Sequence, residues 1–396
     1  MVSWSKRVAR AWLATVLLCI AGTALAAPRI GVATMQPGEI FFERFGHDSI
    51  VVDDPALGEP ISYNFGFFDM SEAGFVGRFV RNDMQYLLVA LPLAQDLVHY
   101  RETGRGVSIQ WLDLSDDEAT RLAAKLAVNA LPENARYRYQ YFTDNCATRV
   151  RDALDDVLGG SLRPQFEARS TGNTFRSEAV RLASPATWMW LGFDIGLGPS
   201  ADAPNSLWQD SFVPMHLAEG LRQAKRADGR PLVSSEQVIL PHLIAPDPVA
   251  VARPWWPWLL SGIVIGALAW WLVRRTPRVV AGVAIGFWTL SAIVGLLLAF
   301  IWLLTEHTFG WANHNLLLFN PLALLLLPGA WRILRGRDGG CWFGGVLIAI
   351  AACAVAALFL HWLPLQPQRN AHWIALLLPI HIALLTTFSS ARALPR

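Results

Sequence analysis

Beyond Pro254 the chain changes character. Five long apolar stretches follow one another: Trp255–Val273, Val279–Leu304, Leu316–Trp331, Cys341–Leu363 and Trp373–Phe388. A helix needs roughly 20 apolar residues to cross a bilayer, so this run commits the C-terminal part to a membrane bundle of five helices. Leu316–Trp331 is short by that measure and needs flanking residues to cross. The connections are asymmetric in charge. Arg274, Arg275 and Arg278 follow the first stretch, Arg332, Arg335 and Arg337 the third, and Arg392 and Arg396 the fifth, whereas the other two connections hold one basic residue, Arg369. Basic loops stay cytoplasmic, which places Pro254 outside and the C-terminus inside. Arg-Pro-Trp-Trp-Pro-Trp at 253–258 matches the aromatic belt of an outer interface.

The N-terminus agrees with that orientation. Lys6, Arg7 and Arg10 precede an apolar core, Ala11–Ile20, and Ala24-Leu25-Ala26 has the small-x-small pattern of a cleavage site. Residues 1–26 are therefore expected to be a signal peptide, with an uncleaved anchor as the alternative. Residues 27–253 form an exported domain large enough for one core, and residues 254–396 the membrane domain. The 53% hydrophobic composition fits this division, and a net charge of +2 gives no reason to expect nucleic acid as a partner.

Within the exported domain, Ile30–Met35, Ser49–Asp53, Ile61–Phe67, Tyr86–Leu91 and Val107–Leu112 read as strands. Ser115-Asp116-Asp117-Glu118 matches a capping box and predicts a helix to about Ala130. A second helix is marked by Val150, Ala153, Leu154, Val157 and Leu158 and ends at Gly159-Gly160. Its N-cap is Asp144 or Asn145, so Cys146 falls in the first turn. Of the four cysteines, Cys19 lies in the export signal and Cys341 and Cys353 in an apolar stretch. Cys146 is thus the one exported thiol, with no intramolecular disulfide partner. Helix N-termini favour an anion and lower a thiol's pKa, so this position is expected to favour a thiolate nucleophile. The competing reading is a cysteine packed in the core.

A cysteine nucleophile needs a base. His47, in Phe-Gly-His-Asp-Ser, stands at the head of a strand with Gly46 leaving room beside it. His99 looks like a helix-face residue, and His216 and His242 fall in proline-bearing loops. Asn64, in Tyr-Asn-Phe-Gly on the next strand, is the first choice to orient the imidazole, and Glu43 the second. An oxyanion hole would come from the Cys146 amide and a neighbour. Arg149, Arg151, Arg169, Arg176 and Arg181 follow the thiol and could meet a phosphate head group or simply form a solvated face. The polar outer segment with His307, Asn313, Asn315 and Asn320 either contacts substrate or pairs helices. No metal cluster, Cys-x-x-Cys, His-Glu-x-x-His, Gly-x-Ser-x-Gly or phosphate-binding loop is present in the sequence, and no cofactor is expected.

A histidine on a strand followed by Asn-Cys at a helix start resembles the circularly permuted papain-like fold of NlpC-like peptidases and lecithin-retinol-acyltransferase-like enzymes. More closely, Phe-Gly-His, Tyr-Asn-Phe-Gly and Asp-Asn-Cys-Ala-Thr-Arg-Val-Arg-Asp, together with the multi-span tail, resemble the Lnb family of lipoprotein N-acyltransferases. The resemblance implies an α+β, permuted papain-like (NlpC-like) periplasmic domain followed by an all-α bundle of five transmembrane helices, in a bacterial inner membrane. It also implies a thioester on Cys146, filled from a phospholipid acyl donor and passed with the help of His47 to the α-amino group of a lipoprotein acceptor. Two rivals use the same residues differently: a cysteine hydrolase acting on peptidoglycan peptides or another amide, and a non-enzymatic envelope assembly factor in which Cys146 only packs.

Overall fold

A computed structural model describes residues 27–251, 253–363 and 367–390; the expected export signal lies outside them. Seven strands among the described residues form one antiparallel sheet: β1 (Arg29–Met35), β2 (His47–Asp53), β3 (Ile61–Phe67), β4 (Met84–Pro92), β5 (Val107–Leu112), β6 (Arg136–Tyr139) and β7 (Val233–Leu240). Their order is β6-β4-β3-β2-β1-β5-β7, with β1, β2 and β3 in the middle. Helix α1 (Phe75–Arg81) lies between β3 and β4, α2 (Leu93–Glu102) between β4 and β5, and α3 (Asp116–Asn129) after β5. Then come α4 (Cys146–Val157), α5 (Leu162–Glu167), α6 (Phe175–Ala183), α7 (Thr187–Gly196), α8 (Leu207–Asp210) and α9 (Pro214–Gln223).

Side chains alternate between the faces of a strand, and both faces of the central strands are covered. Ile30, Val32, Ile50 and Val52 pack against Leu122 and Leu126 of α3 and Val150 and Leu154 of α4. Ala33, Met35 and Val51 pack on the other side against Leu97 and Tyr100 of α2. Within β2 this alternation sends Asp48, Ile50 and Val52 toward α4, and Ser49 and Val51 toward α2; His47 stands at the end of the strand, where it borders one cavity with Cys146. The expected capping box is formed: Ser115 and Glu118 exchange hydrogen bonds at the start of α3.

Among the described residues, five segments are long and apolar enough to cross a membrane. Four are continuous helices: α10 (Trp256–Val273), α11 (Pro277–Leu304), α13 (Phe343–Trp362) and α14 (Ala371–Ser390). The third segment is helical but not a continuous α-helix. It is built from 3-10 turns, His314–Leu317 and Pro321–Leu326, and only then α12 (Leu327–Leu334). Pro321 and Pro328 each lack the N–H that a continuous helix requires, and the Asn313 and Asn320 side chains accept backbone N–H groups at the two turn starts. The outer end of α11 meets the sheet domain directly. Glu306 N–H donates to the Arg81 carbonyl at 2.9 Å, and Asn82 Nδ2 donates to the Glu306 carbonyl at 2.7 Å.

Candidate active site

Asn145 is the N-cap of α4. Its Oδ1 accepts from Thr148 N–H at 2.9 Å, and Thr148 Oγ1 accepts from Asn145 N–H at 2.8 Å. Its amide nitrogen donates to the Tyr141 and Phe212 carbonyls at 3.0 and 2.8 Å, which holds the loop before α4 against the loop before α9. Cys146 is therefore fixed at the first helical position, buried against the sheet.

His47 opens β2, and its Nε2 lies 3.0 Å from Asn64 Oδ1 on β3. The orientation of that amide is determined by its other side: Asn64 Nδ2 donates to Asp96 Oδ2 at 3.0 Å and to Ser62 Oγ at 3.1 Å. A carboxylate can only accept, so Oδ1 is the atom that faces the imidazole. It too can only accept, so Nε2 carries the hydrogen and Nδ1 is the basic nitrogen. Asp96, on α2, completes a chain from imidazole to amide to carboxylate. Two glycines make space here. Gly46 has φ +78°, and a Cβ on it would come within 2.9 Å of the Met35 carbonyl. Gly66 has φ +101° at a bulge in β3, and a Cβ on it would lie 3.9 Å from the Cys146 Cβ.

The electrostatics depart from the sequence expectation. Burial pushes the Cys146 thiol up to about 12, and the Asp48 carboxylate adds to the shift; the backbone N–H groups of Asp48, Ala147 and Cys146 itself pull the other way without overcoming it. Loss of water outweighs the helix terminus. Burial also lowers His47 below the ordinary histidine value, against the Asn64 hydrogen bond and the negative charge of Asp96. The resting pair is thus neutral thiol and neutral imidazole, not thiolate and imidazolium. Asp48, unremarked in the sequence, is fully buried: Oδ1 accepts from Thr34 Oγ1 at 2.8 Å, Oδ2 has no partner among the described residues, and burial pushes its carboxyl up to about 7.

Cys146 and His47 line one cavity of about 490 Å³. Its walls are mostly aromatic and aliphatic. Phe65 and Tyr86 come from the sheet, Phe68 from just beyond β3, Phe41 and Phe45 from the segment before β2, Gly192 and Phe193 from α7, and Leu297, Phe300 and Ile301 from the outer third of α11. A membrane helix thus forms part of the same chamber as the thiol.

The other expected site residues are placed differently. Glu43 does not reach the His47 network: its Oε1 lies 2.7 Å from His99 Nε2 and 3.4 Å from Arg105 Nη1. Arg149 donates to Asp144 Oδ2 at 2.9 Å and lies over the Tyr137 ring at 3.8 Å. Asn313 Nδ2 donates to the carbonyls of Ile195, Gly196 and Leu197 at 2.8, 3.0 and 3.1 Å, and Asn315 Nδ2 to that of Ile195 at 3.0 Å. Asn320 Oδ1 accepts from Leu322 N–H at 3.0 Å. Of the outer segment's candidates His307 lines the cavity, with Nε2 3.2 Å from the Phe79 carbonyl. His216 lies on α9, where Pro214 occupies the first turn and starts the helix instead of marking a loop.

A model of the Lnb N-terminal periplasmic domain matches residues 23–187, and a model of the Lnb transmembrane domain matches residues 249–392. The chain belongs to the Lnb family. It is a multi-pass membrane protein with an α+β periplasmic domain ahead of five candidate spans. No curated protein and no solved structure matches it. The match to the Lnb periplasmic domain includes His47, Asn64, Asp96 and Cys146. Residues 188–248, which supply most of α7 and all of α8, α9 and β7, fall between the two Lnb matches, although Gly192, Phe193, Phe212 and Pro214 line the cavity.

Proposed function

We propose that this protein is an inner-membrane cysteine acyltransferase that moves an acyl chain from a phospholipid, through a Cys146 thioester, to the α-amino group of a lipoprotein. In this reading the signal peptide is removed and the C-terminus is cytoplasmic. The observation that carries the proposal is the apolar cavity shared by Cys146, His47 and the outer third of α11. A chamber whose lining is mostly aromatic and aliphatic suits an acyl chain better than a polar peptidoglycan peptide, which favours transfer over wall hydrolysis.

The chemistry follows from the network. His47 Nδ1 takes the Sγ proton as sulfur attacks the ester carbonyl of the lipid, because a neutral buried thiol is a poor nucleophile without a base. Backbone N–H groups of Cys146, Ala147 and Asp48 surround the sulfur and stabilise negative charge there and on the adjoining oxyanion. The carbon–oxygen bond breaks, His47 returns its proton to the departing alkoxide, and a lysophospholipid leaves. The lipoprotein amine then attacks the thioester, His47 takes a proton from that nitrogen, the carbon–sulfur bond breaks, and the sulfur is reprotonated. Asn64 and Asp96 hold the imidazole in the Nε2–H form throughout.

The test is expression in a host depleted of its own lipoprotein N-acyltransferase, with mass spectrometry of a lipoprotein N-terminus. N-acylated cysteine is expected with the intact chain and a free amine with Cys146→Ala. A free amine with the intact, folded and exported protein would overturn acyl transfer. Free fatty acid released without amine acylation would reassign the site to hydrolysis.

A further inference from the structure

The periplasmic domain carries an apolar surface that its own core does not need. Val76 and Trp188 are about two-thirds exposed, and Phe42 and Val80 are about 40% exposed. These residues come from three separate segments yet border one place. Phe42 and Val80 line the cavity mouth, Trp188 stacks on Phe41 at 5.9 Å, and Val76 lies one helical turn before Val80 on α1. Contiguous exposed apolar surface marks an interaction site.

The level of this surface is fixed by α11. The Arg81 carbonyl and the Asn82 side chain hydrogen-bond to Glu306, and the Phe79 carbonyl to His307, so α1 lies beside the outer end of α11. Leu297 and Phe300 of α11 line the cavity and keep much of their surface exposed. Leu297 is seven residues before the helix end, or about 10 Å deeper at 1.5 Å per residue. The chamber that holds the thiol therefore extends along α11 to below the outer end of this candidate span.

We infer that the rim of Phe42, Val76, Val80 and Trp188 is immersed in the outer leaflet, and that the cavity opens sideways between this rim and α11 to admit a phospholipid acyl chain directly from the bilayer. The occupant is membrane lipid because the rim is continuous with the lipid-facing side of α11. The role of the admitted lipid as acyl donor rests on the acyl-transfer reading; the immersion and the opening do not.

The test uses the full chain reconstituted in vesicles of phosphatidylethanolamine and phosphatidylglycerol. Photo-reactive p-benzoylphenylalanine replaces Val76, Trp188 or Phe300 singly, with Leu303 on α11 as the lipid-facing reference. Leu57 is the aqueous reference: it is exposed in the β2–β3 turn, at the end of β2 away from His47, roughly 20 Å distant at 3.3 Å per residue. Irradiation should yield phospholipid adducts at Val76, Trp188 and Phe300 as at Leu303, and none at Leu57. Adducts at Leu303 without adducts at Val76 and Trp188 would overturn immersion, and their absence at Phe300 would overturn the lateral opening. Should the bulky replacements not fold, Val76→Cys and Leu57→Cys can be compared on spheroplasts with an impermeant maleimide: protection of the first alone is expected, and equal labelling overturns the inference. Neither readout needs turnover, and Cys146→Ala should give the same labelling, so failure of acyl transfer and failure of this inference are distinguishable.

Discussion

Cys146 is subject to two opposing influences. The amides at the start of α4 favour its anion, while burial opposes charge more strongly and holds the thiol up to about 12. The resting site should therefore react as a thiol. Alkylation of Cys146 by iodoacetamide in the full chain, followed by peptide mass spectrometry, should be slow at pH 7 and rise about tenfold per pH unit to pH 9. A rate already on its plateau near pH 6 would show a standing thiolate–imidazolium pair and sink this account. Asp48 allows a separate test through stability. Its folded pKa, about 7, is raised above the ordinary aspartate value, so between about pH 4 and 7 the folded state retains a proton that the unfolded state has lost, and stability falls as pH rises through that window. The loss approaches 4 kcal/mol in order of magnitude. Asp48→Asn should remove it. The melting temperature of the intact protein in detergent should drop between pH 5 and 8 by more than that of Asp48→Asn; parallel drops would contradict the assignment.

At the scale of elements, the membrane helices approach through glycine. Gly262 and Gly266 face α14, and a Cβ on Gly262 would come within 2.3 Å of the Leu376 carbonyl; small residues four apart permit such backbone contact between helices. Gly262→Leu should lower the melting temperature or the monodisperse yield in detergent, whereas Gly286→Leu on α11, with nothing near its Cβ, should not. Equal behaviour would mean that the α10–α14 contact contributes little. Elements of this kind differ in how far the sequence displays them. The five central strands are evident because their alternation meets a core on both faces. β6 reads Arg-Tyr-Arg-Tyr, and β7 carries Ser-Ser-Glu-Gln with most of its side chains exposed. Edge strands have little apolar pattern to read, and neither is evident in the sequence. The third span shows its apolar length but not its 3-10 form, which depends on asparagine caps around two prolines. In the site, His47, Asn64 and Cys146 stand in motifs. Asp96 and Asp48 are ordinary acidic residues until folding brings one to an amide across 32 positions and buries the other beside a thiol. The thiol's own pKa is not legible in the sequence, because helix position is local and burial is not.

For the whole molecule, the question is what makes a sheet domain and a membrane bundle one chamber. The junction centres on the end of α7, which supplies cavity wall. Asn313 donates to the Ile195, Gly196 and Leu197 carbonyls, and its Oδ1 accepts from Asn315 N–H at 3.0 Å and from Gln368 Nε2 at 2.9 Å. Asp194, the residue before Ile195, accepts from His372 and Trp373 of α14 at 2.7 and 2.9 Å. Without Asn313 the Ile195 carbonyl keeps Asn315 and the Leu197 carbonyl keeps Arg176 and Gln368, but the Gly196 carbonyl loses its side-chain donor; a buried carbonyl left so costs about 1–3 kcal/mol, enough to change a local opening equilibrium by roughly five- to 150-fold. Asn313→Ala should therefore raise deuterium uptake in residues 187–198 while the central strands stay protected. Asn320→Ala, which removes only the cap on Leu322 within the bundle, should leave 187–198 unchanged. Because the loosened segment is a wall and not a reacting group, Asn313→Ala should weaken transfer from membrane lipid without altering the pH profile of Cys146 alkylation. Unchanged exchange in 187–198 would mean that Asn313 adds little to the clamp, and that the Asp194 bonds to His372 and Trp373 and the Asn315 bond hold the end of α7 without it.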